Sequence, residues 1–309
     1  MGGSYLTEKR AMTANDNTEA ILARTVLNGE PESATLPPPT ANDEEPVIET
    51  RSLTKKYERV TAVDCLNLSI RPGEIFGLLG PNGAGKSTVM KMLVTLLPPT
   101  SGTATVAGMD LLAEPALVRK FIGYVPQLLS ADAMLTGYEN LLIFAQLYDL
   151  PRRERQARIE AALESAGLSQ EAHHLVSRYS GGMIRRLEIV TAMLHRPRVL
   201  FLDEPTVGLD PVARHGIWNQ IRHLVAEFGT TVVLTTHLMD EAETLCSRIA
   251  MMNRGKVCAL GTVDELKAGV KVEDATLEDV FSFYAGSIEA TGEQFRDVAN
   301  TRRSAARLG

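Results

Sequence analysis

Gly80-Pro-Asn-Gly-Ala-Gly-Lys-Ser-Thr88 follows the apolar run Ile75-Phe-Gly-Leu-Leu79 and leads into Ser87–Leu96, a stretch with helical character. A buried strand that passes through a glycine-rich turn into a helix restricts a chain to a few α/β folds. Gly80, Gly83 and Gly85 have no Cβ, so the backbone there can turn its N–H groups inward around phosphate oxygens. The helix that follows points unpaired donors and its positive end at the same anion. Lys86 can reach β- and γ-phosphates, and the Ser87 hydroxyl suits Mg²⁺. The spacing Gly-x-x-x-x-Gly-Lys-[Ser/Thr] therefore predicts a phosphate loop over Gly80–Thr88, with Pro81, Asn82, Ala84 and Thr88 as its remaining positions.

The rest of the chain is sized for such a fold. Its 309 residues suffice for one large or two modest domains, and 44% hydrophobic content supports a real core. The formal charge of −6 argues against nucleic acid as the main partner, which a basic face would recruit. Cys65, Cys246 and Cys258 form no Cys-x-x-Cys pair, and the expectation is reduced, buried thiols in a cytosolic protein. No apolar run reaches the roughly 20 residues that a membrane-spanning helix needs. Thr13–Glu19 interrupts any signal-peptide core, so a membrane role is expected to run through a partner.

Residues 1–45 read as a disordered tail, polar and closing on Pro37-Pro-Pro39 and the acidic Asn42–Glu45, with at most a turn or two of helix at Glu19–Arg24. Strands are expected at Val47–Leu53, Cys65–Ile70, Thr103–Val106 and Phe121–Val125, with a turn at Arg71–Glu74. Residues 128–196 change character: Tyr138–Tyr148, Arg152–Ala166 and Gly182–Leu194 all suit helices. Strands return at Val199–Leu202, Thr231–Thr235 and Ile249–Met252, with a helix over Pro211–Glu227. This alternation predicts a mostly parallel sheet covered by helices over 46–285, and a frayed tail over 286–309.

A second site follows the phosphate loop. Val199-Leu-Phe-Leu-Asp-Glu204 is an apolar strand that delivers two carboxylates at its carboxyl end, where α/β sheets place ligands. Asp203 suits a Mg²⁺ shell, and Glu204 can orient and polarise a water that attacks a γ-phosphate. A third is Tyr179-Ser-Gly-Gly-Met183: Ser180 can cap a helix, and Gly181 and Gly182 let the backbone approach an anion. From spacing alone an ordinary capped helix explains that motif equally well.

Taken in order, these motifs resemble the ATP-binding subunits of ABC transporters over residues 47 to about 285. Gly80–Thr88 resembles the Walker A loop and Leu200–Glu204 Walker B. Tyr179–Met183 resembles the signature sequence, with Ser180 and Gly182 as its phosphate contacts. Gln127 is placed like the Q-loop glutamine and also as a Mg²⁺ ligand, Val207–Asp210 like the D-loop, His237 like the switch histidine, and Tyr57 like the ring that stacks on adenine. The commonest signature is Leu-Ser-Gly-Gly-Gln, from which Tyr179 and Met183 depart. Tyr-Ser-Gly-Gly-Met with following arginines, and Thr276–Phe281, are similar to the daunorubicin-resistance branch of drug exporters.

The resemblance implies a phosphate-loop NTPase fold: a mostly parallel sheet, an N-terminal antiparallel β region and an inserted helical subdomain at about 128–196. It implies ATP and Mg²⁺ as ligands, and catalysis by Glu204, His237 and Lys86. A head-to-tail homodimer, or a pair with another ABC subunit, would hold ATP between the Walker A of one copy and the signature of the other. A separate transmembrane permease of the ABC-2 exporter type is the further expected partner, placing the chain at the inner face of the cell membrane. The alternative, an ABC ATPase acting as a clamp in DNA repair or on the ribosome, is disfavoured by the acidic charge, the single cassette and the lack of sustained heptads.

Overall fold

The computed structural model describes residues 45–270, 272 and 274–290. The expected tail before residue 45, its helical turn at Glu19–Arg24 and most of the expected tail over 286–309 lie outside the described residues. The chain opens with a hairpin of β1 (Ile48–Tyr57) and β2 (Val60–Ile70). It then runs through β3 (Ile75–Leu79) into α1 (Lys86–Leu93), the predicted strand, loop and helix. β4 (Ser101–Val106), β5 (Met109–Asp110), α2 (Pro115–Phe121) and β6 (Ile122–Val125) follow. Next comes a helical run of α3 (Gly137–Leu147), α4 (Arg152–Ser165) and α5 (Gly181–Met193). β7 (Val199–Asp203), α6 (Pro211–Phe228), β8 (Thr231–Thr236), α7 (Met239–Leu245) and β9 (Arg248–Asn253) restore the alternation. β10 (Lys256–Gly261), α8 (Val263–Ala268) and α9 (Leu277–Ala290) complete it.

The strands form two sheets. The smaller is antiparallel, in the order β2-β1-β4-β5. The larger runs β10-β9-β3-β8-β7-β6, parallel except for β10 at its edge. Every residue of β3, β7 and β8 is buried, as strands covered on both faces require. This order sets the carboxyl ends of β3, β8, β7 and β6 side by side. Leu79 lies opposite Thr236, Asp203 opposite Thr235, and Val125 opposite Leu202.

Two apolar layers sandwich that sheet, and the period of two along β7 assigns residues to them. Val199 and Phe201 join Met90, Leu93 and the antiparallel sheet's Ile48 and Leu66, whereas Leu200 and Leu202 join Trp218, Ile221 and Leu234. Continued by one residue, the alternation points Asp203 toward the α1 side, where Ser87 lies. A third cluster, including Leu141, Ile159, Leu163 and Leu187, fills the helical run. Helix ends follow local chemistry. Thr136 and Glu139 form a capping box on α3, and Asp210 caps α6 through the N–H groups of Val212 and Ala213, both at 2.9 Å.

Some expectations need correction. α1 ends at Leu93 rather than Leu96, because Thr95 turns left-handed with φ 62° and the N–H groups of Leu96 and Leu97 fold back onto the Lys91 carbonyl. Phe121 closes α2 instead of opening β6, its ring under the Arg198 guanidinium at 5.6 Å. Of the free cysteines, Cys246 is buried and Cys258 half-buried, but Cys65 is exposed, on a β2 residue with φ 50°.

Candidate functional site

The phosphate loop is shaped by close backbone approaches. A Cβ on Gly80 would lie 2.3 Å from the Met252 carbonyl oxygen, and one on Gly85 2.4 Å from that of Ala62. Gly83 and Gly85 have φ of 82° and 104°, which L side chains resist. Lys86 is 4% exposed, and its Nζ donates to the carbonyls of Gly80 at 2.8 Å and Pro81 at 3.2 Å. The same ammonium stands 3.4 Å from Glu204 Oε1. Burial pulls the Lys86 pKa below its ordinary value, and the Glu204 carboxylate opposes that shift.

The two carboxylates at the end of β7 face different groups. Asp203 Oδ1 accepts from Thr235 Oγ1 at 2.5 Å and from Ser87 Oγ at 3.2 Å. Glu204 adopts φ 49°, on the order of 1 kcal/mol of backbone strain that its neighbours hold in place. Its N–H donates to Thr235, to the carbonyl at 3.1 Å and to Oγ1 at 3.0 Å. Gln127, just past β6, donates from Nε2 to Glu204 Oε2 at 3.1 Å, and His237, just past β8, sits with Nδ1 3.3 Å from Oε1. Four adjacent strand ends thus converge on one buried carboxylate.

The remaining predicted positions lie apart from this centre. Ser180 caps α5, accepting from the Met183 N–H at 3.3 Å. Gly181 and Gly182 press on Leu209 and Ala213, where a Cβ on Gly182 would come within 2.9 Å of the alanine methyl. Tyr179 is buried, and its hydroxyl donates to the Glu171 carbonyl at 2.6 Å, so its departure from leucine serves packing under α3. Tyr57 is 51% exposed at the end of β1, with Lys55 Nζ 5.6 Å from its ring centroid. Among the described residues no hydrogen bond joins Tyr57 or Ser180–Gly182 to Lys86, Asp203 or Glu204.

Sequence reasoning missed three groups. Thr235 ties the Asp203 carboxylate to the Glu204 backbone N–H; a hydroxyl in Thr235-Thr-His237 at a buried strand end was a readable signal. Glu241 is fully buried on α7, where Oε1 accepts from Thr206 Oγ1 at 2.7 Å and from Trp218 Nε1 at 3.1 Å, while Oε2 has no partner. Arg185 and Glu188 on α5 are buried as well, although i, i+3 charges on a helix ordinarily read as a solvated pair.

A parallel sheet that collects a phosphate loop, a Ser–Asp pair and a glutamate ringed by Lys, Gln and His at one edge defines a phosphate-loop nucleotide-binding protein. Comparison with known proteins narrows the class. Residues 63–207 match the family described as ABC transporter. The probable multidrug ABC transporter ATP-binding protein YbhF of Escherichia coli (strain K12) is 45% identical over 240 residues, covering 77% of this chain and 41% of YbhF. The daunorubicin/doxorubicin resistance ATP-binding protein DrrA of Streptomyces peucetius is 46% identical over 223 residues, 72% of this chain and 67% of DrrA. The chain thus spans about two fifths of YbhF and two thirds of DrrA. A solved ATP-binding subunit of an ABC transporter superposes with a TM-score of 0.70 at 28% identity, covering 77% of this chain and 99% of that one. The ATP-binding cassette MJ0796, dimeric in a post-hydrolysis state with ADP and Pi, gives 0.63 at 29% identity, covering 70% and 98%. The chain belongs to the ATP-binding proteins of ABC transporters, an ATPase family.

Proposed function

We propose that the chain is the ATP-hydrolysing subunit of an ABC-2 type exporter, driving a separate transmembrane permease in drug or multidrug efflux. The observation that carries the ATP-hydrolysing part of this reading is the convergence on Glu204: Lys86 at 3.4 Å, Gln127 at 3.1 Å and His237 at 3.3 Å. A carboxylate so held can take a proton from the water whose oxygen attacks the γ-phosphorus, as the bond to ADP breaks. Gly80–Thr88 cradles the phosphates through its N–H groups and Lys86. Tyr57 stacks on adenine. Two copies, or one copy and a paired ABC subunit, close head to tail, so that Ser180, Gly181 and Gly182 of one reach the γ-phosphate held by the other. The dimeric state of the MJ0796 cassette supports that arrangement.

The donor set fits Mg²⁺. Ser87 Oγ and Asp203 Oδ1 already meet at 3.2 Å, and Gln127, whose Nε2 donates to Glu204, carries an amide oxygen as a further candidate ligand. No cluster of three or more His, Cys, Asp or Glu suited to a metal occurs among the described residues, and Mg²⁺ on a nucleotide needs few protein ligands beside phosphate and water. When bound there it neutralises charge on the phosphates. Thr235 fixes Asp203 for that task, and His237 keeps Glu204 turned toward the loop.

The names of YbhF and DrrA support an export role, multidrug in one and daunorubicin/doxorubicin in the other. Among the described residues no helix is long and apolar enough to cross a membrane. Attachment to the inner face of the cell membrane therefore runs through the permease. Leu128, Leu129 and Met134 beside Gln127 are 82%, 50% and 79% exposed and offer it an apolar dock. Expressed alone, the chain should stay in the supernatant; co-expressed with its permease, it should sediment with membranes and leave with that protein in detergent. Fractionation with ribosomes or DNA, whatever the permease, would replace transport with the clamp alternative.

A further inference from the structure

We propose that Arg185 and Glu188 are positioning residues that lock the Gln127 segment of a chain's own ATP site to the start of α5, the turn that addresses the other copy's ATP. The second half of that statement rests on the head-to-tail reading above. The first half rests on geometry within one chain.

Arg185 and Glu188 lie one turn apart on α5 and are 4% and 6% exposed. The Arg185 guanidinium donates from Nη1 to the Pro126 carbonyl and from Nη2 to the Gln127 carbonyl, both at 2.7 Å. Glu188 Oε1 accepts from the Ser130 N–H, from Ser130 Oγ at 3.1 Å and from the Ala131 N–H at 3.2 Å. Nη1 also lies 3.0 Å from Glu188 Oε2, an ion pair without an aligned N–H. One helical turn therefore holds both flanks of residues 126–131 through bonds to charged groups, which are shorter and about twice as strong as neutral ones.

The grip has ends in two places. Inside it, Gln127 reaches Glu204 Oε2 with its side chain while Arg185 holds its carbonyl, so the amide cannot shift without pulling on α5. Outside it, α5 begins at Gly181 under the Ser180 cap, little more than a turn from Arg185. A helix transmits such a pull as a rigid rod over that span. Neutral side chains could tether the loop, but one buried pair that satisfies five loop groups fixes its path in a way a single weak bond does not.

Hydrogen–deuterium exchange on the protein, kept at a concentration where light scattering shows monomer, tests this without interference from an interface. Magnesium and the slowly hydrolysed analogue AMP-PNP serve as the probe. In the native chain, exchange should change at residues 127–131 and at 180–184 over the same range of analogue concentration. In the double variant Arg185→Met/Glu188→Gln, which leaves no unpaired buried charge, the change at 127–131 should persist and that at 180–184 should vanish. Turnover of Mg-ATP should fall roughly tenfold or more while nucleotide Kd stays within about twofold, and Arg185→Lys should recover part of the loss. A purely packing role would lower stability without this split.

Preserved coupling of the two segments in the double variant, or native turnover in it, overturns the inference. So does a native chain in which 127–131 responds and 180–184 does not. If the double variant does not fold, Arg185→Lys alone decides: roughly threefold or greater loss of kcat at constant Kd supports the lock, and native kcat removes it. A native chain that binds AMP-PNP yet never hydrolyses ATP sinks the proposed activity while leaving the exchange result to judge the lock.

Discussion

Replacing Glu204 by Gln should move ATP binding and ATP hydrolysis in opposite directions. The buried Lys86 ammonium is shared among the Gly80 and Pro81 carbonyls and Glu204, and a triphosphate entering the loop must take it over from that carboxylate. A bond between buried charged groups is worth about 1.5–3 kcal/mol. Glu204→Gln removes it from the nucleotide-free side of the equilibrium only, and it also relieves repulsion between the carboxylate and the γ-phosphate. At 1.4 kcal/mol per tenfold, ATP affinity should rise roughly 10- to 100-fold. Hydrolysis should fall by a factor on the order of 10² or more, because the group proposed to accept the water proton is gone. The variant should melt lower than the native chain without nucleotide and show the larger upward shift with Mg-ATP, as binding to the folded state alone dictates. Titration with a fluorescent ATP analogue gives the affinity, phosphate release the rate, and thermal denaturation the shift. Equal or weaker affinity in Glu204→Gln would refute the competition for Lys86, even if turnover collapsed as expected.

Three further outcomes are expected. Lys86→Ala should abolish productive ATP binding, since the loop loses its buried cation; native affinity by calorimetry would remove the phosphate-loop role. Gly85→Ala puts a methyl 2.4 Å from the Ala62 carbonyl at φ 104° and should cost about 2 kcal/mol or more, read as a drop of roughly 4–8 °C in Tm. His195, stacked on Tyr148 at 3.8 Å, has its pKa lowered by burial from 6.5 to about 4, so the unfolded chain takes up the proton first on acidification. Stability is therefore lost as pH falls through that window, by up to about 3 kcal/mol, and urea unfolding of His195→Phe should show a flatter profile there.

The parts that were legible in the sequence share a property: several residues in a row serve one chemical end. The loop at Gly80–Thr88 and the strand that delivers Asp203 and Glu204 are of this kind, and β3 matches its predicted bounds because a strand covered on both faces is apolar throughout. Elements at the rim were not legible. β10 is half-exposed along most of its length and carries no alternation, and α7 spans two turns, too few for a helical period to register. Arg185 and Glu188 escaped for a different reason: only the return of residues 126–131 over α5 turns what looks like a surface charge pair into a buried one. Tyr179 illustrates the converse, a position in the expected signature whose hydroxyl meets the Glu171 carbonyl and packs against Gly137 at the start of α3.

Trp218 is the chain's sole tryptophan, and its indole N–H rests on Glu241, the carboxylate that also holds Thr206. Thr206 lies two residues past Glu204, and Glu241 four past His237, so the indole is wired to the backbone leaving both. Any rearrangement of either strand end changes the hydrogen bond and the field at a chromophore that is 4% exposed. Excitation of this one ring, with no label attached, should report on nucleotide binding in real time, as emission from a fluorophore that the fold has already mounted beside the site.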